Sequence, residues 1–323
     1  MKNILHAFAL LLVCALMLPV AFAEETTGEN LPDAILEAIR QEHMEVNVES
    51  VIPSDYLSIQ LHGGKVEKIT FPTYDYFAGG TPIERTAWIY LPPDYNEENQ
   101  YDLLILCHGI GGNQDEWGMT GSNSKVKHIM DNLILKGEIR PFIIVTPYGK
   151  SGITSDYMAF YQFGQTLRND LLPWLDEHYA TYGHGEADLS ASRQHRAMAG
   201  LSMGGMQTIN IGMCECLDLF SWFGAFSAAP TSYPSAQIAA RLNAFPEEYN
   251  INYMYNICGL QDTTAYASAS AAAKNLPLYT GDRITEDNWC WQELNGGHSF
   301  NIWYLGFYNF ARIFGAPAVS AAE

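Results

Sequence analysis

One serine set between glycines is the strongest chemical signal in this chain. Gly200-Leu201-Ser202-Met203-Gly204 fits the G-x-S-x-G pattern, in which a sharp strand-to-helix turn pushes a serine hydroxyl out at the end of a sheet. A serine hydroxyl is a poor nucleophile at its free pKa and needs a neighbouring base, itself oriented by a third group. Both are available downstream: Asp262 closes Gly259-Leu260-Gln261-Asp262, and His298 closes Asn295-Gly296-Gly297-His298. The residues then run nucleophile, acid, histidine, an order suited to attack on a carbonyl carbon. Asp282, Glu286 and Asp287 are rival acids, but they precede the last expected strand and lie at its amino end.

The attacked carbonyl must also have its oxygen stabilised as charge develops. His108-Gly109-Ile110-Gly111-Gly112 follows the apolar run Leu103-Leu104-Ile105-Leu106-Cys107. A glycine-rich turn at the end of a central strand lets backbone N–H groups face a ligand. The N–H groups of Met203 and Ile110 are therefore the expected oxyanion donors, and His108 is read as holding the turn's backbone. Trp117, Tyr157, Tyr161 and Trp303 fall in or near loops expected at the site, where aromatic rings could stack on a substrate. The proposed chemistry requires no metal or cofactor. Cys214-Glu215-Cys216 supplies two potential ligands without a matching second pair, and no HExxH, P-loop or GxGxxG occurs.

Positioning these groups needs a sheet whose strands end together. Residues 65–76 and 85–91 read as strands of an antiparallel hairpin, turning at Gly79-Gly80-Thr81-Pro82. Further strands are expected at 103–107, 142–145, 196–199, 222–227, 253–258 and 288–294, mostly as continuous apolar runs of the kind buried on both faces. Helices are expected at 124–135, 161–179 and 301–314, and after the serine, where Met206, Ile209 and Met213 share a face. A hairpin followed by repeated strand–helix units predicts an α/β fold: a mostly parallel sheet with helices on both faces and the α/β-hydrolase chain order. In open sheets of this kind active sites form at the carboxyl ends of the strands, where Ser202, Asp262 and His298 all fall.

The remaining features bound the protein's setting. Residues 1–23 read as a signal peptide, with Lys2, the apolar run 4–20 and Ala21-Phe22-Ala23 as cleavage site. Export, to the extracellular space or periplasm, is the implied destination. Residues 24–64 form an acidic leader, an outer packing segment or a partly disordered arm, and 65–323 one catalytic domain. The net charge of −19 argues against nucleic acid and anionic membrane as partners. Of the six cysteines, the five beyond residue 23 read as mostly free core thiols.

Tyr90-Leu91-Pro92-Pro93, Leu106 to Gly112, Ala199 to Gly205 and Gly297-His298-Ser299-Phe300-Asn301-Ile302-Trp303 resemble the feruloyl esterase and esterase D group. This is family 1 of the carbohydrate esterases, and the likeness is greatest to feruloyl esterase modules of bacterial xylanases, over roughly residues 65 to 315. The resemblance implies Ser202 as nucleophile, His298 as base and Asp262 as acid. It also implies feruloyl or acetyl esters on plant xylan as substrates. Acetylxylan esterases, short-chain esterases and acyltransferases use the same machinery. A hydrolase fold kept as a non-catalytic carbohydrate-binding protein is the reading from another class.

Overall fold

The structure, a computed structural model, describes residues 47–121 and 124–316. The expected signal peptide, most of the leader and the last seven residues lie outside the described residues. Eight strands form one sheet: β1 (Lys65–Asp75), β2 (Thr81–Leu91), β3 (Asp102–Cys107), β4 (Phe142–Pro147), β5 (Arg196–Leu201), β6 (Trp222–Phe226), β7 (Tyr253–Gly259) and β8 (Trp289–Leu294). Their spatial order is β1-β2-β4-β3-β5-β6-β7-β8. The β1–β2 hairpin is antiparallel and joins β4 in antiparallel register, Ala87 opposite Pro147 and Tyr90 opposite Ile144. From β4 to β8 every pairing is parallel. The carboxyl ends of those strands therefore share one edge.

Burial follows from position in the sheet. β3, β4, β5 and β7 are buried at every residue, whereas the outer half of β1 alternates buried and exposed, as expected for a strand with one wet face. Along β3, Leu103, Ile105 and Cys107 enter one core cluster while Leu104 and Leu106 enter another, the two-residue period of a pleated strand. Two cores thus sandwich the sheet. The first is closed by helix α2 (Phe163–Thr166, Leu167–Leu171 and Leu172–His178), α3 (Met203–Gln207 and Thr208–Met213), α4 (Ser235–Leu242) and α5 (Tyr266–Ala273). On the opposite face lie α1 (Lys125–Leu135) and α6 (Phe300–Phe314).

Two details depart from the periodicity. The helix expected at 161–179 widens into a π turn over Leu167–Leu171. Pro173 follows directly, lacking an N–H and carrying a ring that would strike the carbonyl four residues back, so a wider turn there relieves both problems. The described part of the leader is stapled down: Glu49 N–H donates to Asn309 Oδ1 at 2.9 Å, and Asn309 Nδ2 returns a bond to Glu49 O at 2.9 Å. Tyr56 packs against Tyr308 of α6, ring centroids 5.2 Å apart.

Candidate active site

Ser202 stands between β5 and α3 with φ 51° and ψ −111°, a backbone conformation that ordinary residues avoid. Its neighbours impose that conformation. Ser202 N–H donates to Phe226 O at 2.8 Å, and Ser202 O accepts from Ala229 N–H at 2.9 Å and Met206 N–H at 3.0 Å. The flanking glycines make the turn possible: a Cβ on Gly200 would stand 2.7 Å from the Gly204 carbonyl carbon and 2.8 Å from Cys107 O, and one on Gly204 2.8 Å from His108 O. The strand, the turn after β3 and the helix approach more closely than any side chain would allow.

The hydroxyl is not alone. His298 Nε2 lies 3.0 Å from Ser202 Oγ, and His298 Nδ1 lies 2.8 Å from Asp262 Oδ2. Asp262 is buried, and its other oxygen accepts the N–H groups of Ala265 at 2.8 Å and Thr264 at 3.1 Å. Burial alone would raise its pKa, but the His298 hydrogen bond and the Ala265 amide outweigh it and hold the carboxyl below its ordinary value. An ionised Asp262 can only accept, so Nδ1 carries the proton and Nε2 is left to accept from the serine. Asp282, Glu286 and Asp287 stay on the approach to the amino end of β8, at the other edge of the sheet.

The turn after β3 adjoins the serine: a Cβ placed on Gly109 would be 3.6 Å from Ser202 Cβ. His108 is buried, and its Nε2 accepts Gly149 N–H at 2.9 Å, which leaves Nδ1–H to donate to Gly109 O at 2.7 Å. Burial, assisted by the Lys150 charge, pushes this imidazole down to about 4, so it is neutral at ordinary pH. Gly109 O also accepts Gly112 N–H at 3.2 Å. In a trans peptide the Gly109 carbonyl and the Ile110 N–H point in opposite directions, so holding the carbonyl against His108 turns Ile110 N–H the other way. Met203 opens α3, and its N–H is one of the first-turn donors without an intrahelical acceptor.

The four aromatic candidates fare differently. Trp117 is corrected: it is fully buried, donates its indole N–H to Cys107 O at 3.0 Å, and packs on Phe226, Phe300 and Phe307. It buttresses the turn from inside the core and offers no surface to a substrate. Tyr157 is 52% exposed, at the start of the 3₁₀ turn Tyr157–Gln162. Tyr161 is half-buried against a small cluster of Phe160, Met203, Met206 and Ala229. Trp303 is corrected too: it is buried at 7% exposure and packs on His298, ring centroids 4.9 Å apart, so its ring backs the imidazole instead of facing a substrate, and its indole N–H finds no hydrogen-bond partner among the described residues. Sequence reading missed Glu116, whose carboxylate bonds the turn after β3, and Ser227 and Cys258 beside Asp262. No residue pattern marked them, because each depends on chain segments folding back.

The described cysteines are all free thiols, Cys290 half-buried and the other four buried. Among the described residues no three His, Cys, Asp or Glu side chains are placed to hold a metal, and no helix is long and apolar enough to cross a membrane.

The chain shares sequence and fold with proteins already known. It is 34% identical over 177 residues to an endo-1,4-beta-xylanase/feruloyl esterase of Xylanibacter ruminicola, covering 52% of this chain and 22% of that protein. It is 31% identical over 173 residues to endo-1,4-beta-xylanase Y of Acetivibrio thermocellus, covering 53% of this chain and 15% of that protein. The chain thus spans under a quarter of the length of either curated relative. The fold matches that of a feruloyl esterase module from Clostridium thermocellum with a TM-score of 0.68, at 24% identity, over 86% of this chain and 98% of that one. The model of the Esterase family matches residues 80–304, from the second strand of the hairpin to the helix beneath His298. With that match over an α/β-hydrolase sheet, the chain belongs to the Esterase family.

Proposed function

We propose that the protein is a secreted serine carboxylesterase that releases feruloyl and related hydroxycinnamoyl groups from plant cell-wall xylan. The observation that carries the reading is the continuous chain from Ser202 Oγ to His298 Nε2 at 3.0 Å and from His298 Nδ1 to Asp262 at 2.8 Å. His298 takes the proton as Ser202 Oγ adds to the ester carbonyl carbon, and Asp262 stabilises the resulting imidazolium. The Met203 and Ile110 N–H groups receive the oxyanion, a contribution worth roughly 10² to 10³ in rate per donor. Collapse breaks the bond to the sugar oxygen, which leaves with the proton from His298. Water then adds to the acyl-serine with His298 again as base, and the carboxylic acid departs as Ser202 recovers its proton.

An aromatic acyl group suits the surroundings of the serine. Tyr161, half-buried beside Met203, offers a flat apolar surface next to the serine, and Tyr157 is exposed at the start of the same turn. The matched relatives carry xylanase names, which supports an ester on xylan, and residues 1–23 support export. The test is acid release from methyl ferulate, acetylated xylan and p-nitrophenyl acetate by the wild type and by Ser202→Ala. Ferulate release lost in the variant supports the reading. Acetate release without ferulate moves the enzyme to acetylxylan or short-chain esters. Equal rates for both proteins would sink the Ser202 assignment, and inertness toward every ester would favour a non-catalytic carbohydrate-binding role.

A further inference from the structure

Glu116 is a half-buried carboxylate built into the turn after β3, and its Oε2 accepts Gly109 N–H at 2.6 Å. The carboxylate packs closely on the turn: a Cβ on Gly112 would lie 2.5 Å from Glu116 Cδ, and one on Gly109 would be in contact with Oε2 at 3.4 Å. On its other side the Gly109 Cβ would stand 3.6 Å from Ser202 Cβ. Gly109 therefore separates the carboxylate from the nucleophile. The carboxylate also reaches α6, where it adds to burial in raising the pKa of Tyr304.

A negative charge this near a developing oxyanion opposes the reaction electrostatically. The hydrogen bond supplies a compensating role. Glycine lets its two flanking peptides rotate more freely than any other residue, so an oxyanion turn built on Gly109 needs both of them held. His108 Nδ1–H and Gly112 N–H hold the Gly109 carbonyl, and Glu116 holds the Gly109 N–H. With both peptides fixed, Ile110 N–H is left one orientation.

We propose that Glu116 is a positioning residue of the oxyanion turn. Its carboxylate serves as a hydrogen-bond acceptor for Gly109, keeping Ile110 N–H aimed at the ester carbonyl oxygen, and it exchanges no proton with substrate. The proposal rests on the serine-ester reading and on Ile110 as an oxyanion donor. Its test compares wild type, Glu116→Gln and Glu116→Ala on p-nitrophenyl acetate, with kcat and KM measured separately and thermal unfolding alongside. Gln keeps an acceptor oxygen without the charge, so its kcat is expected within about threefold of wild type or above it. Ala leaves Gly109 N–H unheld, and kcat is expected to fall about 10- to 100-fold with KM changed less than about threefold.

Should the alanine variant not fold, Glu116→Met, which fills the space without an oxygen acceptor, carries the same expectation. Wild-type kcat in the acceptor-less variant overturns the proposal, whatever its melting temperature. Equal losses in the Gln and Ala variants overturn it too, since charge rather than acceptance would then matter. So does a rise in KM at unchanged kcat. A wild type that neither turns over esters nor labels at Ser202 with a fluorophosphonate overturns the serine-ester reading, and the Glu116 role with it. Labelling and turnover with an indifferent Glu116→Ala overturn only the latter.

Discussion

The Trp303 indole stands nearly perpendicular to the His298 imidazole, ring centroids 4.9 Å apart and planes at 86°. The imidazole is therefore located by three neighbours: a carboxylate on Nδ1, a hydroxyl on Nε2 and a ring against its side. An edge-to-face contact contributes about 0.5–1.5 kcal/mol. With this contact orienting His298, Trp303→Ala is expected to lower kcat roughly three- to tenfold and to destabilise the core by about 3–5 kcal/mol. Trp303→Phe, which keeps a ring there, should retain most of kcat. Steady-state kinetics on both variants decide the matter, and equal kcat values for Phe and Ala would remove the orienting role.

His108 makes stability depend on pH. Its pKa is about 4 in the folded protein against an ordinary 6.5, so between those values the unfolded chain binds more protons. The sign follows from linkage: stability is fully present above pH 6.5 and falls as pH drops toward 4. The depression corresponds to about 3 kcal/mol. Urea unfolding of wild type and His108→Asn at pH 7.5 and 4 should show a smaller acid loss in the variant. Parallel losses would mean that other groups govern this window.

Ser202 carries backbone strain that glycine would not. Ser202→Gly is expected to melt about 2–4 °C above Ser202→Ala, the equivalent of roughly 1 kcal/mol of relieved strain, while both abolish ester turnover. Differential scanning calorimetry of the two variants measures it. An alanine variant at least as stable as the glycine one would show that the backbone conformation at residue 202 costs the chain nothing.

Much of this architecture was legible because the physics acting on it is local. Leu103 to Cys107 is apolar at every position since both faces of a central strand are covered, and the strands on either side announce themselves in the same way. Ser202 and Asp262 were readable because each follows such a strand, and His298 because it follows the last, half-buried one. Trp117 was misread: an aromatic after a strand reads as loop surface, but the turn folds back so that its N–H satisfies Cys107 O. Helix α5, Tyr-Ala-Ser-Ala-Ser-Ala-Ala-Ala, was passed over because alanine and serine give no contrast between faces. Pro173 concealed the π turn, and Glu116 meets Gly109 only after the chain has doubled back across seven residues.

The staple between Glu49 and Asn309 has a consequence for anyone redrawing the gene. The family match begins at residue 80, and β1 begins at Lys65, so either would be a natural place to start a minimal expression clone. Starting there would strip both Glu49 backbone partners from Asn309, which is fully buried on α6: its Oδ1 would lose its N–H donor, while Nδ2 kept Tyr255 OH at 3.2 Å and Gln292 Oε1 at 3.0 Å. The same helix carries Trp303 against His298. A trimmed clone that purifies poorly, or turns over slowly, would then be reporting a missing piece of its interior, and cloning from residue 47 or earlier is the remedy.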